Sequence, residues 1–166
     1  MLGKLIACSV LAGVVGTFAT NVAPGALLAD VTLSGTAKTC MNTNIAPVQG
    51  VNVDFFRVSD ARPLLAHLDS MDKFTQGRQE NDTTMFAQFD AMETVMQNMT
   101  WTTPEILWRT SAADGTFSIT ISPVDSILVT GWTNMEDEPY VYDYKVFPGT
   151  ISRSFTLDMT RGQCGF

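Results

Sequence analysis

A regular alternation of apolar and polar residues follows the dipeptide Asp114-Gly115. Three apolar residues alternate there with threonine and serine between Thr116 and Ser122. A period of two residues is typical of a β-strand with one buried face. Because glycine accepts a positive φ and aspartate tolerates one, the dipeptide predicts a tight turn that leads into this strand.

The same alternation predicts six or seven short strands along the chain. They are expected at residues 31–39, 51–55, 106–110, 116–122, 127–132, 140–147 and 151–159. The segment 127–132 is apolar on both faces, which is typical of a strand in the centre of a sheet. The segment 42–49 is rich in Asn, Pro and Gln, and we expect a polar turn region there. Short strands joined by turn signals indicate a sandwich or a barrel, and therefore a mainly all-β fold.

The pattern changes to helical spacing in the segment 60–104, between the second and third predicted strands. Apolar residues recur there at steps of three and four, at Met85, Phe86, Phe89, Met92, Met96 and Met99. This spacing predicts an amphipathic helix of about four turns that starts at Asp82 or Thr83. A weaker pattern from Arg62 to Phe74 predicts a second helix, or alternatively a strand. The sandwich is therefore expected to carry a partly helical insertion.

One side of the longer predicted helix forms a methionine stripe, for which we consider three interpretations. Its members are Met85, Phe89, Met92, Met96 and Met99. Thioethers bind Cu(I) in exported proteins, but no His or Cys ligand accompanies these residues. Methionine is an adaptable core residue, so packing onto the sandwich is favoured. An apolar helix face outside the main core is also suited to docking a protein partner.

The first 29 residues have the pattern of a secretory signal peptide. Lys4 precedes an uncharged apolar run that continues to Phe18, and small residues follow. Cleavage is expected after Ala19 or Ala29. Plain cleavage is favoured over lipidation at Cys8, because only three apolar residues precede that cysteine in its lipobox-like segment. An uncleaved anchor is disfavoured because a Pro-Gly pair interrupts the run. We expect a secreted or periplasmic protein that is not integral to the membrane after cleavage.

Residues 30–166 are expected to form a single acidic domain. Removal of Lys4 with the leader leaves nine basic residues against seventeen acidic ones, a net charge of −8. Without a basic stripe to neutralise phosphates, this composition argues against nucleic-acid binding. Cys40 and Cys164 remain after cleavage, and an even pair in an exported chain predicts a disulfide that closes almost the whole domain.

Four short motifs occur in order along the predicted strands. They are Gly35-Thr-Ala, Ala46-Pro-Val-Gln-Gly-Val-Asn-Val-Asp-Phe55, Ala113-Asp-Gly-Thr-Phe-Ser-Ile119 and Ser126-Ile-Leu-Val-Thr-Gly-Trp132. The residues that define the turns are Pro47, Gly50, Asp114 and Gly115. Together the motifs resemble the carboxypeptidase regulatory-like domain, a transthyretin-like family, over about a third of the chain.

This resemblance implies a seven-stranded Greek-key sandwich of the prealbumin type. It also implies a non-catalytic interaction or structural accessory module, from a family sometimes grouped with carbohydrate-binding folds. The insertion at 60–104 departs from the family pattern, which has a short hairpin at that point. Any specialised function is therefore expected to involve the insertion.

Residues that would indicate catalysis or metal binding are few. His67 is the only histidine, and no Gly-x-Ser-x-Gly motif accompanies it. The acidic loop Glu136-Asp-Glu138 lacks the ligand spacing and the glycine of a calcium loop. We therefore expect a protein that is not an enzyme and has neither a metal site nor a cofactor.

Aromatic residues provide the main ligand hypothesis. Tyr140, Tyr142 and Tyr144 project to one face of a predicted strand, and Trp132 ends the preceding strand. Such a platform can bind a sugar, because aromatic rings bury the apolar face of a sugar and neighbouring polar groups form hydrogen bonds. The alternative, that the tyrosines face inward, is favoured because the opposite face would make a poor core. The preferred function is thus a non-catalytic interaction or structural module with a protein partner in the cell envelope or outside the cell. The alternative is a carbohydrate-binding module that uses the aromatic strand face.

Overall fold

The computed structural model describes residues 29–41, 44–75, 83–135 and 138–160. Residues 1–28 of the predicted leader and Cys164 lie outside these ranges. The described residues form eight strands and two helices, namely β1 (Val31–Met41), β2 (Asn44–Pro47), β3 (Asn52–Arg57), α1 (Arg62–Thr75), α2 (Thr83–Thr102), β4 (Glu105–Thr110), β5 (Thr116–Ile121), β6 (Ser126–Met135), β7 (Glu138–Pro148) and β8 (Arg153–Asp158). In this part of the chain, neither helix is long and apolar enough to cross a membrane.

The strands form two four-stranded sheets. In the first sheet, residues 33–36 of β1 pair with both β5 and β8, while Lys38 pairs with both β2 and β8. A residue has one partner on each side, so β5 and β2 lie end to end along one edge of β1. Strand β8 runs parallel to β1 along the other edge. The second sheet is antiparallel, in the order β4-β3-β6-β7.

Strand β2 corrects the prediction of a turn region at residues 42–49. Strand β1 runs on to Met41, beyond the end of β5, and therefore offers a free edge to which Asn44–Pro47 pair. The described residues thus contain eight strands, and the seven-stranded prealbumin arrangement is not confirmed. The mainly β sandwich with a helical insertion is confirmed.

The main core lies between the two sheets, where alternate residues of each strand meet. In β5, Phe117, Ile119 and Ile121 are buried and the residues between them are exposed, as the alternation predicts. The core residues of the facing strands include Leu33, Val53, Phe55, Ile127, Val129 and Leu157.

The two helices cover the other face of the second sheet and form a second core. It includes Leu64, Leu68 and Met71 of α1, Phe89 and Met96 of α2, and Phe56, Leu128 and Tyr142 of the sheet. Strand β6 is therefore buried on both faces, which confirms its prediction as a central strand.

Helix α2 is longer than its apolar spacing predicts. It has 20 residues, or about five and a half turns. The hydroxyl groups of Thr100 and Thr102 donate to the carbonyl oxygens of Met96 and Asn98, one turn earlier in the same helix. Pro104 follows, and the restriction it places on the preceding residue disfavours continuation of the helix. The last turn of α2 carries Trp101, which is exposed and does not belong to the second core.

Candidate functional site

The tyrosines predicted as a sugar platform lie under the helical layer. Tyr142 is 7% exposed, stacks on Phe89 with 6.4 Å between ring centroids and donates a hydrogen bond to Asp72 of α1 at 3.2 Å. Tyr144 is half-buried and donates to Asp69 at 2.7 Å. Burial, followed by the hydrogen bond to Asp69, raises the pKa of Tyr144, so the hydroxyl remains a donor. These two tyrosines attach α1 to the sheet through their hydroxyl groups.

The third tyrosine, Tyr140, and the methionine stripe either belong to the covered region or have side chains outside the described part of the structure. Tyr140 lies in β7 and Met85 in α2, but their side chains fall outside the described part of the structure. Within the stripe, Phe89 and Met96 are buried in the second core. Met92 and Met99 are partly buried against the same core. At these four positions the helical spacing reflects packing onto the second sheet.

The predicted turn before β5 forms with the expected backbone conformation. Gly115 has a φ of 74° and Gly50 a φ of 80°. Asp114 accepts hydrogen bonds from the backbone N–H and the hydroxyl group of Thr116, at 3.0 and 2.6 Å. These hydrogen bonds lower the pKa of Asp114. Pro47 ends β2, beside this turn.

The predicted disulfide stays a prediction. Cys40 lies in β1, whereas Cys164 is outside the described ranges. Strand β8 runs parallel to β1 with Asp158 opposite Lys38, so the chain leaves β8 near the end of β1 that carries Cys40. The register is therefore compatible with the pairing.

An open cavity of about 670 Å³ lies on the outer face of the second sheet, where the helical cover ends. All three tryptophans of the chain line it, and we call it the tryptophan cavity. Its lining residues are Asn52, Asp54, Thr100, Trp101, Thr102, Thr103, Pro104, Glu105, Trp108 and Trp132.

Cross-strand pairing places the sheet residues of the cavity on one face. Val53 and Phe55 point into the sandwich core, so Asn52 and Asp54 point to the opposite face of β3. Asn52 pairs with Trp132 of β6. Asp54 pairs with Trp108 of β4 on one side and with Thr130 of β6 on the other.

Both sets of cross-strand pairs continue into β7, where Trp132 pairs with Tyr142 and Thr130 pairs with Tyr144. Trp132, Tyr142 and Tyr144 therefore lie on the same face of the second sheet as Asn52 and Asp54, and only part of this face is open. The helices cover its β7 side, and the cavity lies on its β3–β4 side.

The insertion supplies the remaining wall. The last residues of α2 and the link to β4 contribute the segment 100–105, which includes Trp101 and Glu105. Trp101 is 79% exposed and Trp108 is 53% exposed. Neither side chain belongs to the two cores. Packing therefore does not account for these two indoles.

Asp54 is the most perturbed carboxylate of the cavity. Its side chain is 8% exposed and accepts a hydrogen bond from the indole N–H of Trp132 at 2.8 Å. Burial raises the pKa of Asp54 to about 6. The hydrogen bond from Trp132 opposes this effect, and the charge of Glu105 adds to it. Asp54 is therefore a buried acceptor that changes its charge near neutral pH.

The charges around the cavity are of one sign. Its lining contains the carboxylates of Asp54 and Glu105 and no Lys, Arg or His residue among the described positions. The amide of Asn52 supplies a neutral donor and a neutral acceptor. The hydroxyl groups of three threonines donate to carbonyl oxygens of α2, so they add acceptors to the lining. Within the described ranges, no group of three or more His, Cys, Asp or Glu residues is suited to hold a metal ion. The arrangement is suited to binding a molecule with both apolar faces and polar edges.

The sequence interpretation identified Trp132 but missed Trp101, Trp108, Asn52 and Asp54. A signal for two of them was present, since period-two alternation places Asn52 and Asp54 on the face opposite Val53. The contribution of Trp101 depends on where α2 ends relative to the sheet, which is a tertiary property.

His67, the only histidine, lies away from the cavity, and its Nε2 contacts the carbonyl oxygen of Met92 at 2.8 Å between the two helices.

No family model matches the sequence, so the resemblance to carboxypeptidase regulatory-like domains stays a prediction. No curated protein matches it significantly either. Among solved structures, a Pseudomonas aeruginosa protein described as a candidate carbohydrate-binding protein is 9% identical, with a TM-score of 0.41. The match covers 80% of this chain and 90% of that one.

Two pilus proteins are also similar in structure. The shaft pilin SpaA of Lactobacillus rhamnosus GG is 10% identical with a TM-score of 0.39, over 78% of this chain and 49% of the pilin. The pilus backbone protein RrgB of Streptococcus pneumoniae is 8% identical with a TM-score of 0.26, over 77% and 41% of the two chains. This chain therefore spans about half or less of either pilin. At such identities and TM-scores, the three similarities assign neither a family nor a ligand to it.

Proposed function

We propose that this protein is a non-catalytic carbohydrate-binding module, and that the tryptophan cavity is its sugar site. The observation that carries the proposal is the convergence of all three tryptophans on one cavity that also holds an amide and two carboxylates. Indole rings bury the apolar C–H faces of a pyranose, and the polar groups beside them accept and donate hydrogen bonds to its hydroxyl groups. The volume is within the range typical of small-molecule sites.

The exposure of the indoles supports a binding role over a purely structural one. A single exposed apolar residue needs no explanation. Here Trp101 and Trp108 are both more than half exposed, and they face the same polar cavity. An exposed aromatic surface with a polar rim is typical of an interaction site.

A sugar ligand is favoured over a docked protein as the primary partner. The methionine stripe, for which docking was one of three interpretations, packs against the second core at Phe89, Met92, Met96 and Met99. The cavity, by contrast, combines concavity with convergent polar groups. A carbohydrate-binding module is one kind of exported accessory module, so the proposal agrees with the leader expected at residues 1–29.

The proposal is tested by titrating the protein with a panel of oligosaccharides while recording tryptophan fluorescence. Because every tryptophan lines the cavity, a bound sugar is expected to change the intensity or wavelength of the emission. Replacing Trp101→Ala or Trp108→Ala is expected to weaken binding roughly tenfold each, the usual effect of losing an aromatic contact at a binding site. Ile151→Ala is the matched control, because Ile151 is 54% exposed and does not line the cavity. Absence of binding across the panel, or equal binding by the double tryptophan variant, would refute the proposal.

Glycoside hydrolysis is the second candidate function. The observation that favours it is the presence of two carboxylates at one cavity, of which Asp54 has a pKa raised to about 6. Glycosidases use such a pair, with the carboxyl group of raised pKa as the general acid. Analysing the same titrations for shortened oligosaccharides distinguishes the two functions. If the wild-type protein produces shortened oligosaccharides and Asp54→Asn does not, the protein is a glycosidase. If the oligosaccharides remain intact, the result supports the binding module.

A further inference from the structure

The charge of the tryptophan cavity restricts the class of sugar that fits it. Asp54 lies at its floor with 8% exposure, and Glu105 is exposed at its rim. No described basic side chain of the lining offsets them. The chain as a whole carries a net charge of −7, so its long-range field has the same sign as the cavity. Acidic sugars are therefore repelled, and a positively charged group is attracted.

The indole rings act in the same direction as the carboxylates. The face of an indole ring carries partial negative charge, and cations within about 6 Å of its centre are attracted to it. Tryptophan is the most effective residue for this interaction. Three indoles and two carboxylates in one cavity thus combine an apolar surface for a sugar ring with two kinds of attraction for an ammonium group.

We propose that the preferred ligand of the tryptophan cavity is an amino sugar with a free ammonium group, such as a de-N-acetylated hexosamine unit of a glycan. The pyranose ring stacks on the exposed indoles of Trp101 and Trp108, and the ammonium group lies between Glu105 and Asp54. This inference rests on the proposed function, because it specifies the sugar for the same site.

The state of Asp54 agrees with this assignment. Burial and the charge of Glu105 raise the pKa of Asp54, and the hydrogen bond from Trp132 offsets this rise only in part. No described cationic side chain lines the cavity. An ammonium group beside it favours the ionised form, since an opposite charge within about 4–6 Å lowers the pKa of a carboxyl group. Ligand binding is therefore coupled to the release of a proton from Asp54 near pH 6.

The test compares three oligosaccharides of equal length: glucosamine oligomers, their N-acetylated counterparts and neutral glucose oligomers. Affinity is measured by calorimetric titration at low and moderate salt concentration. We expect the glucosamine oligomers to bind at least about fivefold more tightly than the other two, with a preference that decreases with salt. Glu105→Gln and Asp54→Asn should each reduce this preference, because they remove a charge and keep the shape of the side chain. Glu105 is exposed, so its replacement does not disturb either core.

Asp125→Asn is the matched control, since Asp125 is an exposed carboxylate of the loop before β6 and does not line the tryptophan cavity. It is expected to keep the full preference. Equal loss of preference in Asp125→Asn would overturn the inference in favour of a general attraction to an acidic protein. Equal affinity for cationic and neutral oligomers would also overturn it but would leave the proposed function intact. Binding of none of the three would refute the proposed function itself.

Discussion

Asp54→Asn is expected to stabilise the protein at neutral pH, although it alters a side chain that contacts the centre of the candidate site. In the wild-type protein the carboxyl group is almost fully buried, with Trp132 as its hydrogen-bond donor. Asparagine has nearly the same shape, and its carbonyl oxygen can still accept the indole N–H. The substitution therefore removes the cost of a buried charge without leaving Trp132 unpaired.

The pKa of Asp54 gives the size and sign of the effect. It is raised from the ordinary value of 3.8 to about 6, mainly by burial. Because the folded protein holds this proton more tightly than the unfolded chain, the free energy of unfolding falls as the pH rises between these two values. The difference in pKa corresponds to about 3 kcal/mol once both states are ionised. Below about pH 4 Asp54 carries its proton in both states, so the wild-type protein and Asp54→Asn should be similarly stable.

The assay is urea unfolding of both proteins at intervals from about pH 3.5 to about pH 7.5, with circular dichroism as the signal. The difference between the two free energies of unfolding isolates Asp54, because all other carboxyl groups are common to both proteins. We expect Asp54→Asn to gain on the order of 2–3 kcal/mol across this range. A difference that stays constant with pH, or that shows the wild-type protein gaining stability as the pH rises, would refute the assignment of a buried, uncompensated carboxylate.

Three further predictions concern the scaffold. Gly115→Ala should cost about 3 kcal/mol or more and Gly50→Ala about 1 kcal/mol in urea unfolding. Both glycines have a positive φ, but of the two only Gly115 would bring a Cβ atom against a backbone carbonyl oxygen, that of Ala37 at 2.5 Å. Equal costs for the two substitutions would contradict this geometry. Tyr144→Phe should cost about 1–2 kcal/mol by removing the 2.7 Å hydrogen bond to α1, and an unchanged stability would mean that this bond does not hold the helix to the sheet. The exported protein should contain a Cys40–Cys164 disulfide whose reduction lowers the free energy of unfolding by roughly 3–5 kcal/mol, whereas alkylation of both thiols without reductant would exclude it.

The elements that alternation and turn chemistry specify locally were predictable from the sequence. Strand β5 has its apolar residues buried and its hydroxyl residues exposed, and Gly115 has the positive φ that its turn requires. Both helices of the insertion also form where apolar spacing predicts them. In these segments the local preference and the tertiary environment act in the same direction.

Strand β2 and the binding cavity were not predictable, because both depend on partners distant in sequence. The segment Asn44–Pro47 has turn-forming residues, and it becomes a strand only because β1 extends beyond β5. Asn52 and Trp132 are brought together by the β3–β6 register, which the sequence does not specify. Alternation places Tyr142 and Tyr144 on one face of β7, but which part of that face the helices cover depends on how α1 packs.

The position of the cavity follows from the way the insertion meets the sandwich. Helix α1 covers the β7 side of the second sheet through Tyr142 and Tyr144. The last turn of α2 lies beside this covered region and contributes Trp101 to the wall of the cavity. A sandwich without the insertion would present Asp54 on an open sheet face, where water would screen its charge and no wall would stand opposite Trp108. With the insertion, the same carboxylate is buried enough to keep its proton to about pH 6 and remains beside an open cavity. The helical insertion therefore creates both the shape and the electrostatic character of the candidate site.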